Sequence, residues 1–267
     1  PVLVVTGGPG TGKTTLLRGV SSVLHAKGAR VLLAAPTGRA ARRLQEAAGL
    51  PARTIHRLLE FNPKRLTFNR NRDNPLEGDV VVVDEASMVD VELAAHLLEA
   101  LPSSCRLVLV GDADQLPSVG PGNVLGDLIA SGEIPVVQLR EIFRQAGESL
   151  IVVNAHRVNQ GHMPLLPQGD ELRDFYLVER TDATAAAITA VEMVAHHIPR
   201  RFRLDPVDDV QLLAPMHRGE LGVTALNERL RTALNPSGPE IVIGARSYRL
   251  GDKVMQIRNN YELEVFN

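Results

Sequence analysis

Short, unbroken apolar runs recur in the first part of the chain: VLVV at 2–5, VLLAA at 31–35, VVVV at 80–83 and LVLV at 107–110. Each is too short for a helix and lacks the polar alternation of a half-exposed strand. They therefore predict strands covered on both faces, as in a parallel sheet. Between them the period changes. Leu16, Leu17, Val20, Val23 and Leu24 follow the stripe of an amphipathic helix, which Gly28 is placed to end. Leu93, Leu97, Leu98 and Leu101 repeat the habit before Pro102. Strands alternating with helices predict an α/β fold with a mainly parallel sheet.

Two places break the rhythm. Residues 61–78 are rich in Asn, Arg and Pro, and RLTF alternates just before a turn-prone stretch, which predicts a small β-hairpin inserted into the sheet domain. The second break lies at Gly132 to Pro135 and is followed by strand-like PVVQL, helices around 147–160 and 183–198, and another strand-like apolar run, VQLLAP at 210–215. LLAAPTGR at 32–39 is echoed by LLAPMHRG at 212–219, as two similar α/β domains in tandem would produce and as a chance match of this length would equally.

Composition sets outer bounds. A chain of 267 residues that is 44% hydrophobic has ample core material, and its length suggests two domains. No apolar run approaches the roughly 18 residues that a membrane span needs, and no signal peptide opens the sequence. A single cysteine, Cys105, leaves no internal disulfide and no multi-cysteine zinc site, and fits a reducing cytoplasm. Its place before an apolar run suits a small core residue. The net charge of -2 hides an asymmetry, because residues 36–72 hold nine Arg or Lys against Glu46 and Glu60. That stretch suits a polyanion, although a solvated basic face would read the same way.

The chemistry sits at the predicted strand ends. Gly7 to Thr14 read GGPGTGKT, which fits G-x-x-x-x-G-K-[ST] between a strand and a helix. Such a loop turns backbone N–H groups toward phosphates, its lysine (Lys13) reaches the β and γ phosphates, and its hydroxyl (Thr14) ligates Mg²⁺. VVVVDEAS at 80–87 places Asp84 where a carboxylate holds the magnesium shell and Glu85 where one polarises the attacking water. Gln115, beyond the 107–110 run, is placed to contact the γ-phosphate. No N-K-x-D motif for guanine is present.

Taken together, GGPGTGKTT, AAPTGRAA, TIHRLL, VVVVDEASMVD and GDADQLPSVGPGNVL, in this order and spacing, resemble motifs I, Ia, Ib, II and III of superfamily 1 helicases, and in particular the RecD-like branch. IFRQ at 142–145, LAPMHRGELGVTALNERL at 213–230 and GDKVMQIRNNYELEVFN at 251–267 are similar to the stand-alone RecD-like DNA helicases. The resemblance implies two RecA-like domains: a first over 1–134, interrupted by a pin-like hairpin at 61–78, and an incomplete second over 135–250. The start of a small β-barrel follows at 251–267. It implies ATP and Mg²⁺, with Gly8, Pro9, Gly10, Thr11, Gly12, Lys13, Thr14 and Thr15 around the phosphates, Phe143 on adenine and Arg144 as an arginine finger. Pro36, Thr37, Arg39, Thr54, His56 and Arg57 would lie along single-stranded DNA, with His217 and Arg218 as their counterparts in the second domain. Phe61 and Phe68 would pack at the base of the pin, and Arg70 and Arg72 would meet the duplex fork.

The resemblance also implies a cytoplasmic monomer that translocates 5′ to 3′ on single strands and unwinds duplex DNA in repair or recombination, with no membrane and no obligate protein partner. Position 1 falls on the first core strand and no motif V or VI precedes position 267, so the chain is expected to be a piece of a longer protein. A regulatory ATP-binding module and a small-molecule kinase share the phosphate loop and stand as the alternatives.

Overall fold

The computed structural model describes residues 1–143, 147–167, 173–244 and 246–255. Packing divides the chain into two units, Pro1–Tyr176 and Leu177–Asn267.

The first unit is built on a six-stranded sheet in the order β3-β2-β6-β7-β1-β8, with every pairing parallel. Its strands are β1 (Val2–Gly7), β2 (Val31–Ala35), β3 (Ala52–Thr54), β6 (Val80–Val83), β7 (Arg106–Gly111) and β8 (Val136–Leu139). The pleat sorts the valines of β6 strictly by parity, as a period of two requires. Val81 and Val83 join Val4, Leu107 and Leu109 on one face, packed with Ile55, Leu59, Leu93, Leu97 and Leu125. Val80 and Val82 join Val5, Leu33 and Val110 on the other, packed with Leu17 and Leu44. Helices α1 (Lys13–Ala26) and α2 (Gly38–Ala48) thus cover the second face, while α3 (Ile55–Leu58), α4 (Val91–Ala100) and α5 (Val124–Ser131) supply the first. Gly28 (φ 79) follows the end of α1 as expected, its N–H donating to His25 O. Cys105 is 5% exposed beneath this core, and burial pushes its thiol pKa up.

The expected hairpin is present as β4 (Phe61–Asn62) and β5 (Thr67–Phe68), with Phe61 paired to Phe68. The insertion returns to the domain sooner than the polar composition of 61–78 suggested. Leu76 is buried and donates its N–H to Ala100 O, and Gly78 packs against Leu32.

Of the two strands expected after Gly132, one forms and the other does not. PVVQL, read as opening the second domain, forms β8 and pairs in parallel with β1 (Val4 with Val136, Gly7 with Leu139). Without it, β1 would be an edge with unpaired N–H and C=O groups. The run at 210–215 forms no strand, for no ladder among the described residues takes it in.

In the second unit α7 (Ala183–Glu192) widens into a π turn at Met193–His197 and continues as α8 (Ile198–Phe202). Pro199 has no N–H to return to the preceding turn, and the wider turn lies directly before it. Helix α9 (Val223–Leu234) and the antiparallel hairpin β9 (Glu240–Ile243) and β10 (Arg246–Arg249) follow. Among its described residues only Ala187, Val194 and Leu226 are buried apolar side chains.

Candidate nucleotide site and the strand-end surface

Parallel strands bring their carboxyl ends to one edge of the sheet, and the loops leaving that edge carry the candidate groups of the first unit. After β1 the chain turns through Gly10 (φ 75) and Gly12 (φ 83), left-handed positions where a Cβ is strained, and enters α1 at Lys13. Lys13 Nζ donates to Gly7 O at 2.5 Å and Gly8 O at 3.0 Å, and Thr11 Oγ1 donates to Gly8 O at 2.8 Å. Phe143 donates its N–H to Gly10 O at 3.2 Å. Its ring lies against Gly12, where a Cβ would come within 2.2 Å of the ring. A cleft of about 480 Å³ is lined by Gly8, Gly10, Thr11, Gly12, Lys13, Thr14, Thr15 and Phe143. Pro9, the remaining loop residue nominated from the sequence, instead offers its carbonyl to His156 at 3.1 Å.

Asp84 leaves the end of β6, anchored by Asp84 N–H donating to Ala34 O, and its Oδ1 accepts the Glu85 N–H at 2.9 Å. That bond helps hold Glu85 at φ 53, a left-handed position uncommon for a residue with a side chain. Burial raises the Asp84 pKa above the ordinary carboxylate value, against the Glu85 N–H and the nearby charge of Lys13. Glu85 is raised first by burial and then by Asp84, with Asp112 adding to the effect and Lys13 and Arg43 opposing it. Lys13, Asp84 and Glu85 therefore share one electrostatic neighbourhood. Gln115 is exposed in the loop after β7, and its Nε2 donates to Asp112 Oδ2 at 3.4 Å. Arg144 lies outside the described residues.

The second group of nominated residues lies after β2 and β3. Pro36 precedes Thr37, whose Oγ1 caps α2 by accepting the Ala40 N–H, and Arg39 is exposed on the first turn. Thr54 caps α3 in the same way through Arg57 N–H. The hydroxyls of both threonines are thus engaged at helix starts. His56 sits 5.6 Å from the Phe61 ring and 5.7 Å from the Phe68 ring, and Phe61 and Phe68 are 5.1 Å apart. Burial holds the His56 pKa below the ordinary value, with Asp90 partly opposing it. His96 completes the cluster at 4.6 Å from Phe68. The two arginines of the insertion differ. Arg72 is exposed, whereas Arg70 is bound to Glu60 at 2.8 Å and donates to Pro75 O and Asn74. In the second unit, His217 and Arg218 are exposed in a loop that Val223 N–H closes onto Met216 O before α9.

Sequence reasoning missed His156, Asp112, Arg43 and His96. Asp112 had a legible signal, since it ends an apolar run just as Asp84 does. His156 and His96 had none, because their neighbours are remote in sequence.

Comparison with known proteins finds the AAA domain family over residues 1–121 and the SH3 domain of ATP-dependent RecD-like DNA helicases over 226–267. An ATP-dependent RecD2 DNA helicase from Deinococcus radiodurans is 37% identical over 100% of this chain and 35% of its own length. A RecBCD enzyme subunit RecD from Mycolicibacterium smegmatis is 35% identical over 99% of this chain and 53% of its own. The chain thus spans between a third and about half of these curated relatives. The crystal structure of Pif1 helicase from Candida albicans matches 90% of this chain and 52% of its own at 21% identity, with a TM-score of 0.46.

Proposed function

From the premise that the chain is RecD-like in sequence along its whole length, we propose that it carries the nucleotide-driven part of an ATP-dependent DNA helicase. The observation that supports this most directly is the phosphate loop between β1 and α1 with Asp84 and Glu85 at a neighbouring strand end, all within reach of the Lys13 charge. The residues present fit Mg-ATP. The cleft is lined by residues of the loop, the hydrogen bonds of Lys13 Nζ among the described residues go to loop carbonyls, and two partly buried carboxyls, Asp84 and Glu85, stand at the neighbouring strand end as oxygen donors for a cation.

In this reading Lys13 would exchange the Gly7 and Gly8 carbonyls for phosphate oxygens, and Thr14 and Asp84 would hold Mg²⁺. The ion neutralises charge on the phosphates when bound. Glu85 draws a proton from the attacking water through its carboxylate, and Gln115 senses the γ-phosphate from the loop after β7. Phe143 supplies an apolar face beside the loop for the base, and Arg144 is the proposed arginine finger. Pro36, Thr37, Arg39, Thr54, His56 and Arg57 form a sequence-independent track for single-stranded DNA on the first unit, and His217 and Arg218 are the separate DNA contacts proposed for the second. The hairpin at 61–68 is the wedge, with Arg72 free to meet a fork and Arg70 holding its shape. The finer reading is a monomeric enzyme with 5′ to 3′ polarity, acting in the cytoplasm in repair or recombination. No helix among the described residues is long and apolar enough to cross a membrane.

ATP turnover by the complete protein with and without single-stranded DNA is the test. Strong stimulation by the polymer is expected. Unstimulated turnover would favour a regulatory ATPase, and transfer of phosphate to a small molecule would favour a kinase.

A further inference from the structure

His156 lies on α6 (Leu150–Asn159), far from the phosphate loop in sequence, yet its ring meets that loop twice. Its Nε2 is 3.1 Å from Pro9 O. A carbonyl only accepts, so Nε2 carries the proton in this contact. Its Cε1 occupies the space a side chain on Gly8 would need, since a Cβ there would stand 2.5 Å away. Gly8 falls on a free position of G-x-x-x-x-G-K-T, so the phosphate pattern does not call for glycine there.

The Pro9 carbonyl and the Gly10 N–H belong to one planar peptide and turn together. Tying the carbonyl to His156 therefore also fixes the Gly10 N–H, a donor on the cleft-lining stretch of the loop. A carbonyl left free to turn into the cleft would set its negative end against a phosphate. We propose that His156 is a positioning residue for nucleotide binding, which sets the Pro9–Gly10 peptide in the phosphate-accepting orientation while its ring occupies the space beside Gly8. This rests on the nucleotide reading of the cleft.

The test is equilibrium binding of a fluorescent Mg-ADP analogue to the 267-residue chain, with inorganic tripolyphosphate as competitor. His156→Ala should weaken both ligands about tenfold, as the loss of one hydrogen bond entails. His156→Gln, which keeps an N–H donor, should bind within about threefold of the parent. Gly8→Ala should weaken binding by displacing the ring, and Gly8→Ala combined with His156→Ala should be no weaker than His156→Ala alone, because both remove one contact. Lys13→Ala is the reference for the site itself. Parent-like binding by His156→Ala alongside loss in Lys13→Ala overturns this inference alone. A Gln variant as weak as the Ala variant, or additive effects in the double variant, also overturns it by assigning His156 to packing. Parent-like binding by Lys13→Ala overturns the nucleotide reading and this inference with it.

Discussion

Two adjacent carboxyls at the end of a buried strand carry a cost in the metal-free protein that the sign of their pKa shifts makes measurable. Asp84 and Glu85 are both raised, chiefly by burial. A raised carboxyl favours the fold while protonated, and that contribution is lost as pH rises from the ordinary carboxylate value through the folded value. Asp84→Asn should therefore raise the melting temperature of the metal-free chain at about pH 8, with the gain shrinking as pH falls toward the ordinary carboxylate value of about 4. A thermal melt series across that range decides it, and the same variant should lose the stabilisation that Mg-ADP gives the parent. Glu85→Gln should keep Mg-ATP binding while turnover in the complete protein falls several-hundred-fold, about 3 to 4 kcal/mol of transition-state stabilisation. Single-turnover hydrolysis with a parallel binding assay separates the two effects. At this scale the phosphate loop was legible because its function depends on local spacing. His156 was not, because a ring that fills the space over Gly8 leaves no trace near position 8 except the glycine.

The insertion after α3 shows what a polar, turn-rich segment can and cannot announce. Alternation in RLTF located the hairpin, and Phe61 and Phe68 do pair at its base. What composition hid is that Arg70 is held by Glu60 and that Leu76 returns to the core. The projecting part is therefore shorter than the insertion. Replacing 63–66 by a Gly-Ser turn leaves Phe61, Phe68 and Arg70 in place. It should preserve DNA-stimulated ATP turnover in the complete protein while abolishing unwinding of a tailed duplex; equal loss of both would make the turn structural. Phe68→Ala acts differently, because it removes the ring shared by His56, Phe61 and His96. It should cost about 1 to 3 kcal/mol of stability in a denaturant titration, less than a fully buried phenylalanine would. The strands teach the same lesson. Runs at 2–5, 31–35, 80–83 and 107–110 were legible because each is apolar on both faces. PVVQL and VQLLAP carry similar apolar signals, but a run becomes a strand only where a neighbour offers a ladder. Beside β1 one did, and β3, only three residues long, formed for the same reason with little apolar signal at all.

The two packed units differ in how much they bury. Both large apolar clusters, the six-stranded sheet and the cleft lie within the first unit. Residues 1–176 expressed alone should therefore fold cooperatively and bind Mg-ADP within about threefold of the 267-residue chain, as seen by calorimetry, because the entropy of ordering is offset mainly by apolar burial. Residues 177–267 alone should show no sharp thermal transition. Cys105, just ahead of β7, turns this asymmetry into a built-in reporter. It is the one thiol in 267 residues, 5% exposed and with its ionisation suppressed by burial. A maleimide dye should leave the native chain unlabelled and mark it once when the sheet opens, so the labelling rate becomes a clock for unfolding of the first unit. The same silence makes Leu66→Cys, at a hairpin position 77% exposed, a one-dye attachment point for watching the hairpin by fluorescence without removing the native cysteine.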